Sequence, residues 1–297
     1  MLHPITFSIP REKICEVHNE KTKILSNLIP GDYNTYIYKT EEEYYNEYKT
    51  SYFAITRKKA GWDCMRHYEI LVNGCIPYFI DIESCPEYTM YLLPKKLFSQ
   101  ANSLYDNKFK NKKIDEITEE EINEYNILQK ELLEYTKQYL TTDKIVEYIL
   151  KKINFSKVSN ILYLSGDLRP DYLRCMTLHG FKTLFGDKCH DYPKVPHIYK
   201  SNSILYTNSY GNGMTYSNLL EHNLHNDSLD NTICEDIKNK YYDVVIYGSY
   251  HRGMPYYDLI KEIYNPSEII LLCGEDIHSC NCIDFLKRGH HVFVREL

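Results

Sequence analysis

The run from Ser51 to Asp81, SYFAITRKKAGWDCMRHYEILVNGCIPYFID, restricts this chain more than any other stretch, because it spells strand, turn, helix and strand in immediate succession. Tyr52 to Thr56 is apolar and β-branched, and Arg57-Lys58-Lys59-Ala60-Gly61 interrupts it with positive charge and a glycine. Trp62 to Asn73 then has helical spacing, Gly74 stops it, and Cys75 to Ile80 resumes as a buried strand. On a helical wheel Cys64, Met65, Tyr68, Leu71 and Val72 share one arc. Asp63, Arg66, His67, Glu69 and Asn73 share the other, which is expected to face a cleft or the solvent.

Such a unit has a physical use. The turn after a parallel strand points into the ligand crevice, and free amides at a helix start attract phosphate. Arg57, Lys58 and Lys59 reinforce that attraction, and Gly61 keeps the turn open to backbone contact. Further along the helix, Glu69 has the chemistry to accept hydrogen bonds from ribose hydroxyls, with Arg66 offering a charge to a phosphate or to Glu69 itself. The combination suits a sugar nucleotide. The plainer alternative is an amphipathic helix packed on a sheet, with Arg66 and Glu69 as a surface pair contributing well under ~1 kcal/mol.

The segment GWDCMRHYEILVNGCIPYF resembles the donor-binding helix of GT-B glycosyltransferases, in particular the exostosin-like and related sugar transferases of bacteria and large DNA viruses. Arg66, Glu69, Gly74, Ile76 and Pro77 carry the resemblance. The flanking text His3 to Pro10, Pro30-Gly31, Cys85-Pro86 and Leu93-Pro94-Lys95 agrees with it. It implies two Rossmann-like α/β domains facing a central cleft. It also implies a UDP- or GDP-sugar as co-substrate, a glycan or other hydroxyl acceptor, and no required divalent metal.

Length and composition set the limits around that expectation. A chain of 297 residues, 43% hydrophobic and 26% charged, can bury a core, and two domains of roughly 150 residues are the natural division. A net charge of -6 argues against a nucleic-acid partner, because a phosphate backbone needs a broad basic face. No leader-like N-terminus and no apolar run of ~20 residues is present, so a soluble, cytoplasmic protein without a membrane span is expected. The ten cysteines sit singly in apolar runs, which predicts reduced, mostly buried thiols. Only His278-x-Cys280-x-Cys282 clusters possible ligands, and it lacks a second pair at zinc-site spacing.

Reading along the chain, Ile5 to Ile9 is an expected strand ended by Pro10. Lys23 to Leu28 is an apolar run stopped by Pro30-Gly31-Asp32. Thr40 with Glu43 and Thr118 with Glu121 are capping boxes, the second opening a long amphipathic helix. Asp81-x-Glu83 after a buried strand is weighed as a cation site against loop capping, and capping is preferred. The polar stretch Asn154 to Ser159 marks the expected boundary, giving a donor-binding Rossmann-like domain over 1–153 and an acceptor-side domain over 154–297.

The second half restarts the alternation with strands at 161–164, 243–247, 268–272 and 291–294. Polar residues gather where these strands end, at Gly248-Ser249-Tyr250-His251-Arg252 and Gly274-Glu275-Asp276. Glu275, Asp276 and His251 are the candidate general bases for an acceptor hydroxyl, and Arg252 is the candidate to steady a leaving phosphate. Loop hydrogen bonding is the alternative for both acids, and His190 and Asp191, in an expected loop, are weaker candidates. Compared with the bacterial proteins it resembles, the chain looks circularly permuted, which predicts that Met1 and Leu297 are neighbours. A non-catalytic carbohydrate-binding or scaffold protein of the same fold stays open, as does, more distantly, a methyltransferase using the strand end at Leu164 to Asp167.

Overall fold

The computed structural model describes residues 1–16, 20–155, 157–201, 210–276 and 281–297, and shows an α/β protein built on two all-parallel sheets. In chain order, β1 (Leu2–Pro4) and β2 (Lys23–Leu25) precede α1 (Glu41–Lys49), β3 (Ser51–Thr56), α2 (Met65–Val72) and β4 (Ile76–Phe79). Then come α3 (Lys95–Leu104), α4 (Glu119–Tyr135) and α5 (Thr142–Lys152), followed by β5 (Ile161–Leu164), α6 (Tyr172–Phe185) and β6 (Cys189–Tyr192). The chain closes with α7 (Asp227–Lys238), β7 (Val244–Tyr247), α8 (Tyr257–Ile263), β8 (Ile269–Cys273), α9 (Ile283–Lys287) and β9 (His291–Val294). Among the described residues no helix is long and apolar enough to cross a membrane.

The chain divides into two compact units, Ile9–Thr141 and Met1–Ser8 with Thr142–Leu297, so the first is inserted into the second. Its ends meet, because Ile9 and Thr141 form a parallel bridge, and adjacent ends are what make insertion tolerable. The division differs from the expected 153/154 boundary for a packing reason. Helix α5 buries Ile145, Val146 and Ile149 and lies so close to α6 that a Cβ on Gly180 would stand 2.2 Å from the Thr142 carbonyl oxygen.

In the inserted unit, β3 lies between β2 and β4, with Leu25 opposite Phe53 and Phe53 opposite Ile76. The two capping boxes form as read: the Thr40 hydroxyl accepts the Glu43 amide at 3.2 Å and the Thr118 hydroxyl the Glu121 amide at 3.3 Å. Gly74, at φ +62°, ends α2 in the left-handed region that a side chain disfavours. Its carbonyl accepts from Lys21 Nζ (2.6 Å), the Tyr125 hydroxyl (2.9 Å) and Gln129. The same ammonium reaches Lys49 O and Ser51 O, so one lysine ties three carbonyls together.

The flanking unit is a six-stranded sheet in the order β1-β9-β8-β7-β5-β6. Strands β5, β7, β8 and β9 are buried along their whole length, which explains why they read as unbroken apolar runs. Counting from β5, five of the strands follow the order 2-1-3-4-5 of a doubly wound fold, whose switch point lies between β5 and β7. Ile5 to Ile9 is not the strand. Leu2–Pro4 is, paired with β9 so that Leu2 faces Val292 and Pro4 faces Val294. Met1 donates to the His290 carbonyl at the start of β9, whereas Leu297 follows its far end, so the termini are not neighbours. Joining parallel neighbours needs a crossover of about a dozen residues, which direct fusion of Leu297 to Met1 would lack.

Cys15, Cys64, Cys75, Cys85, Cys175, Cys189, Cys234 and Cys282 are free thiols as expected, but Cys273 is disulfide-bonded. His278 and Cys280 lie outside the described residues.

The β1–β9 seam carries a pH dependence. His3 Nε2 lies 3.0 Å from His291 Nδ1, and the rings stack at 5.3 Å. Burial first, then neighbouring positive charge, pulls each imidazole down to about 4. Burial does the same to His197, also to about 4. These groups take up protons in the unfolded chain at higher pH than in the folded one. Stability is therefore fully present above the unfolded value near ~6.5 and falls as pH drops toward the folded value. Urea midpoints should decrease between about pH 7 and about pH 5, and His291→Gln should flatten that slope. Equal midpoints at the two pH values would contradict the assignment.

Candidate functional site

Strands β2, β3 and β4 are parallel, so the segments leaving them gather at one edge. There Pro30, Gly31, Arg57, Lys58, Lys59, Ala60 and Asp81 line an open pocket of about 470 Å³. The turn is fixed by its own backbone: Lys59 N–H donates to Gly61 O at 3.0 Å, and Lys58 N–H reaches both Asp81 oxygens at 3.3 Å. Arg57 donates to Pro30 O at 2.9 Å, joining the β2 and β3 loops. Lys58 Nζ sits 5.2 Å from the centre of the Trp62 ring. All three basic residues are exposed, so their charges are presented to the pocket side at low desolvation cost.

Three expectations are corrected here. Gly61 is buried beneath the turn and does not line the pocket. The polar arc of α2 does not face the solvent, since all eight residues of the helix are buried. Its polar groups are instead satisfied inside the unit: His67 bonds Thr56 Oγ1 (2.9 Å) and Trp62 O (2.8 Å), and Asp63 accepts from Tyr68 (3.0 Å). Arg66 and Glu69, each 7% exposed, are not a surface pair. Arg66 donates to Thr56 Oγ1 and to Arg57 O, both at 3.1 Å, and bonds Tyr36, while Glu69 accepts from Tyr44 at 2.7 Å. Arg66 thus holds the basic turn from below. Asp81 accepts the Lys58 N–H of the basic turn, and Glu83 accepts the hydroxyl of Ser99 on α3.

In the flanking unit the loops leaving β5, β7 and β8 meet at the switch point. Gly166 is indispensable there, because a Cβ would stand 2.2 Å from the Arg252 carbonyl oxygen. Asp171, capping α6, accepts the Arg174 amide at 2.9 Å and Ser249 Oγ at 2.8 Å, and lies 3.3 Å from Arg252 Nε. Arg252 also donates to Pro170 O at 3.1 Å, so the arginine expected to meet a phosphate braces two loops. Ser249 and Gly166 lie in strand ends noted from sequence, whereas Asp171 was given no role there, although an Asp before an apolar helical run is a readable cap.

Of the three candidate bases, the structure brings two together. His251 Nε2 lies 2.6 Å from Glu275 Oε1 as an ion-pair contact, and both ring nitrogens are buried without a hydrogen bond. Burial lowers the His251 pKa, opposed by the charges of Asp171 and Glu275, so the ring is held neutral at physiological pH. Asp276 is engaged elsewhere, by the fully buried Arg295 guanidinium, which also bonds Glu296 (2.8 Å) and Gly274 O (3.2 Å) and stacks 4.3 Å over Phe7. It is corrected from candidate base to ion-pair partner.

His190 and Asp191 lie in β6, the edge strand, and not in a loop. Asp191 is fully buried and accepts from Tyr199 (2.7 Å) and His225 Nδ1 (2.9 Å), with Lys182 Nζ at 2.9 Å. Burial alone would raise its pKa, but the bonds from His225 and Lys182 outweigh it and hold the carboxyl far below the usual range.

Comparison of the chain with family models, with curated proteins and with solved structures finds no significant match.

Proposed function

We propose that the chain is a glycosyltransferase of GT-B-like organisation, moving a sugar from a UDP- or GDP-sugar to a hydroxyl acceptor. The inserted unit takes the donor and the flanking unit serves the acceptor. The observation that carries the reading is the open pocket at the strand ends of β2, β3 and β4, whose exposed cations Arg57, Lys58 and Lys59 suit a diphosphate. Arg66 and Glu69 support that pocket from within and do not touch the ligand. His251, beside Glu275, is the flanking unit's base for an acceptor hydroxyl, and Lys58 and Lys59 are the inserted unit's cations for the diphosphate that leaves when its bond to the sugar breaks.

Calorimetry with nucleoside diphosphates tests the donor side. Lys58→Ala and Lys59→Ala are each expected to weaken binding by roughly 10- to 100-fold, the worth of one charged hydrogen bond. Undetectable diphosphate binding, or binding indifferent to both changes, removes the proposal. The engagement of Arg252 and Asp276 in ion pairs favours one alternative, a non-catalytic nucleotide- or carbohydrate-binding protein. That alternative keeps the binding and shows neither transfer nor donor hydrolysis.

A further inference from the structure

A second group of side chains, unused by the proposed transfer, gathers where the start of α7 meets edge strand β6. His225 Nε2 lies 3.4 Å from Asp227 Oδ1 and 3.4 Å from Asp230 Oδ2, and His190 Nε2 lies 3.0 Å from Asp230 Oδ1. One atom each from His225, Asp227 and Asp230 falls within a 4.8 Å span. Both histidine-to-carboxylate spacings of 3.4 Å, the one to Asp230 being a long hydrogen bond, exceed the charge-assisted N–H···O distance of about 2.7–2.9 Å. They match the edge of a tetrahedron whose donors stand about 2.0–2.1 Å from a central ion, roughly 3.3 Å.

An independent observation points the same way. His190 is only 2% exposed, yet neither ring nitrogen has a hydrogen-bond partner, and Asp230 Oδ1, 3.0 Å from Nε2, is likewise buried without one. Buried atoms without a hydrogen bond cost free energy, which a cation held by Asp230 would offset at the carboxylate. His225 is prepared as a ligand: its Nδ1 bonds the buried Asp191 at 2.9 Å, which fixes the ring and turns Nε2 toward Asp227 and Asp230. A carboxylate behind an imidazole is the arrangement that orients metal-bound histidines.

We propose that His225, Asp227 and Asp230 form a binding site for a divalent transition-metal ion of the zinc class, with His190 packed beside the Asp230 carboxylate. With three protein ligands the ion keeps one position for water, and through the His225–Asp191 bond it fastens the start of α7 to strand β6. Binding is a deprotonated-ligand reaction with no redox step, and any proton carried by His225 Nε2 is released to solvent.

The test uses the full-length chain, stripped with chelator, and zinc or cobalt ions alone. The expected result is one tight equivalent of zinc and cobalt d–d bands of a tetrahedral nitrogen–oxygen site. The thermal midpoint should rise with zinc. Asp227 has a side chain 83% exposed, so Asp227→Asn folds and serves as the clean probe. It should lose tight binding and the zinc-dependent rise, while Asp191→Asn weakens affinity by roughly 10- to 100-fold. No stoichiometric binding, binding unchanged in Asp227→Asn, or a cobalt–thiolate charge-transfer band that assigns the ion to cysteines would each overturn the site.

Discussion

Lys182→Met is expected to destabilise the flanking unit by about 3–5 kcal/mol, the cost of removing one partner from a buried ion pair. The Lys182 ammonium and the Asp191 carboxylate are both wholly inaccessible and 2.9 Å apart. Lys182 also donates to Leu224 O at 2.6 Å. Methionine fills a similar volume, so the loss is electrostatic and not a cavity effect. Asp191 would keep Tyr199 and His225 as donors but lose its fixed positive neighbour, and Leu224 O would lose its donor. Against a typical total of about 5–15 kcal/mol, that is a large fraction of the stability. The double change Lys182→Met with Asp191→Leu separates pair from context. Because a buried pair owes most of its apparent value to the penalty of stranding one charge, the double variant should be less destabilised than the sum of the two singles. Urea unfolding of the four proteins decides it. A Lys182→Met cost below about 1 kcal/mol would mean that water reaches Asp191 and the pair is not buried in solution.

His190 and Asp191 read as loop residues for a physical reason. Helix α1 and α4 announce themselves through Thr40 with Glu43 and Thr118 with Glu121, because a capping box is complete within four consecutive residues. Strands β5, β7 and β8 announce themselves as apolar runs because both of their faces are covered. Strand β6 reads Cys-His-Asp-Tyr and carries no such signal. What makes it a strand is supplied from outside: the ladder to β5 and the buried polar partners Lys182, Tyr199 and His225.

Helix α2 shows the converse limit. Its two arcs were legible, but which of them meets water was not, since periodicity records only that two faces differ. Thr56, Trp62, Tyr36 and Tyr44 satisfy the polar arc, and the last two lie on segments far removed in sequence. The consequence reaches function. The exposed cations that remain for a ligand are those of the turn, and the helix that carried the family resemblance becomes the turn's support. At the switch point the strand-end clusters were found correctly, while the division of labour inside them depended on Asp171 and Arg295. Those two arrive from other loops and settle which of Arg252, Asp276, Glu275 and His251 are already engaged.

If the transfer reading holds, His251→Ala should lower the turnover of a nucleotide-sugar donor by about 10²–10⁴-fold, the usual contribution of a positioned general base. Donor affinity should stay unchanged, because Arg57, Lys58 and Lys59 belong to the inserted unit and His251 to the flanking one. A loss in kcat with KM for the donor preserved is therefore the signature, and it separates removal of a base from general unfolding. The pH profile adds a second readout. Burial lowers the imidazole pKa, so the rate should rise with pH through an inflection below the ordinary histidine value near ~6.5 and then level off. Glu275 opposes that lowering through its charge, 2.6 Å from Nε2. Glu275→Gln should accordingly move the inflection to still lower pH, in addition to any loss of ring orientation. Asp276→Asn, which alters the ion pair with Arg295, should leave the inflection where it is. Turnover insensitive to His251→Ala would assign the proton transfer to another group. An inflection that moves upward in Glu275→Gln would show that the two side chains do not act as a pair.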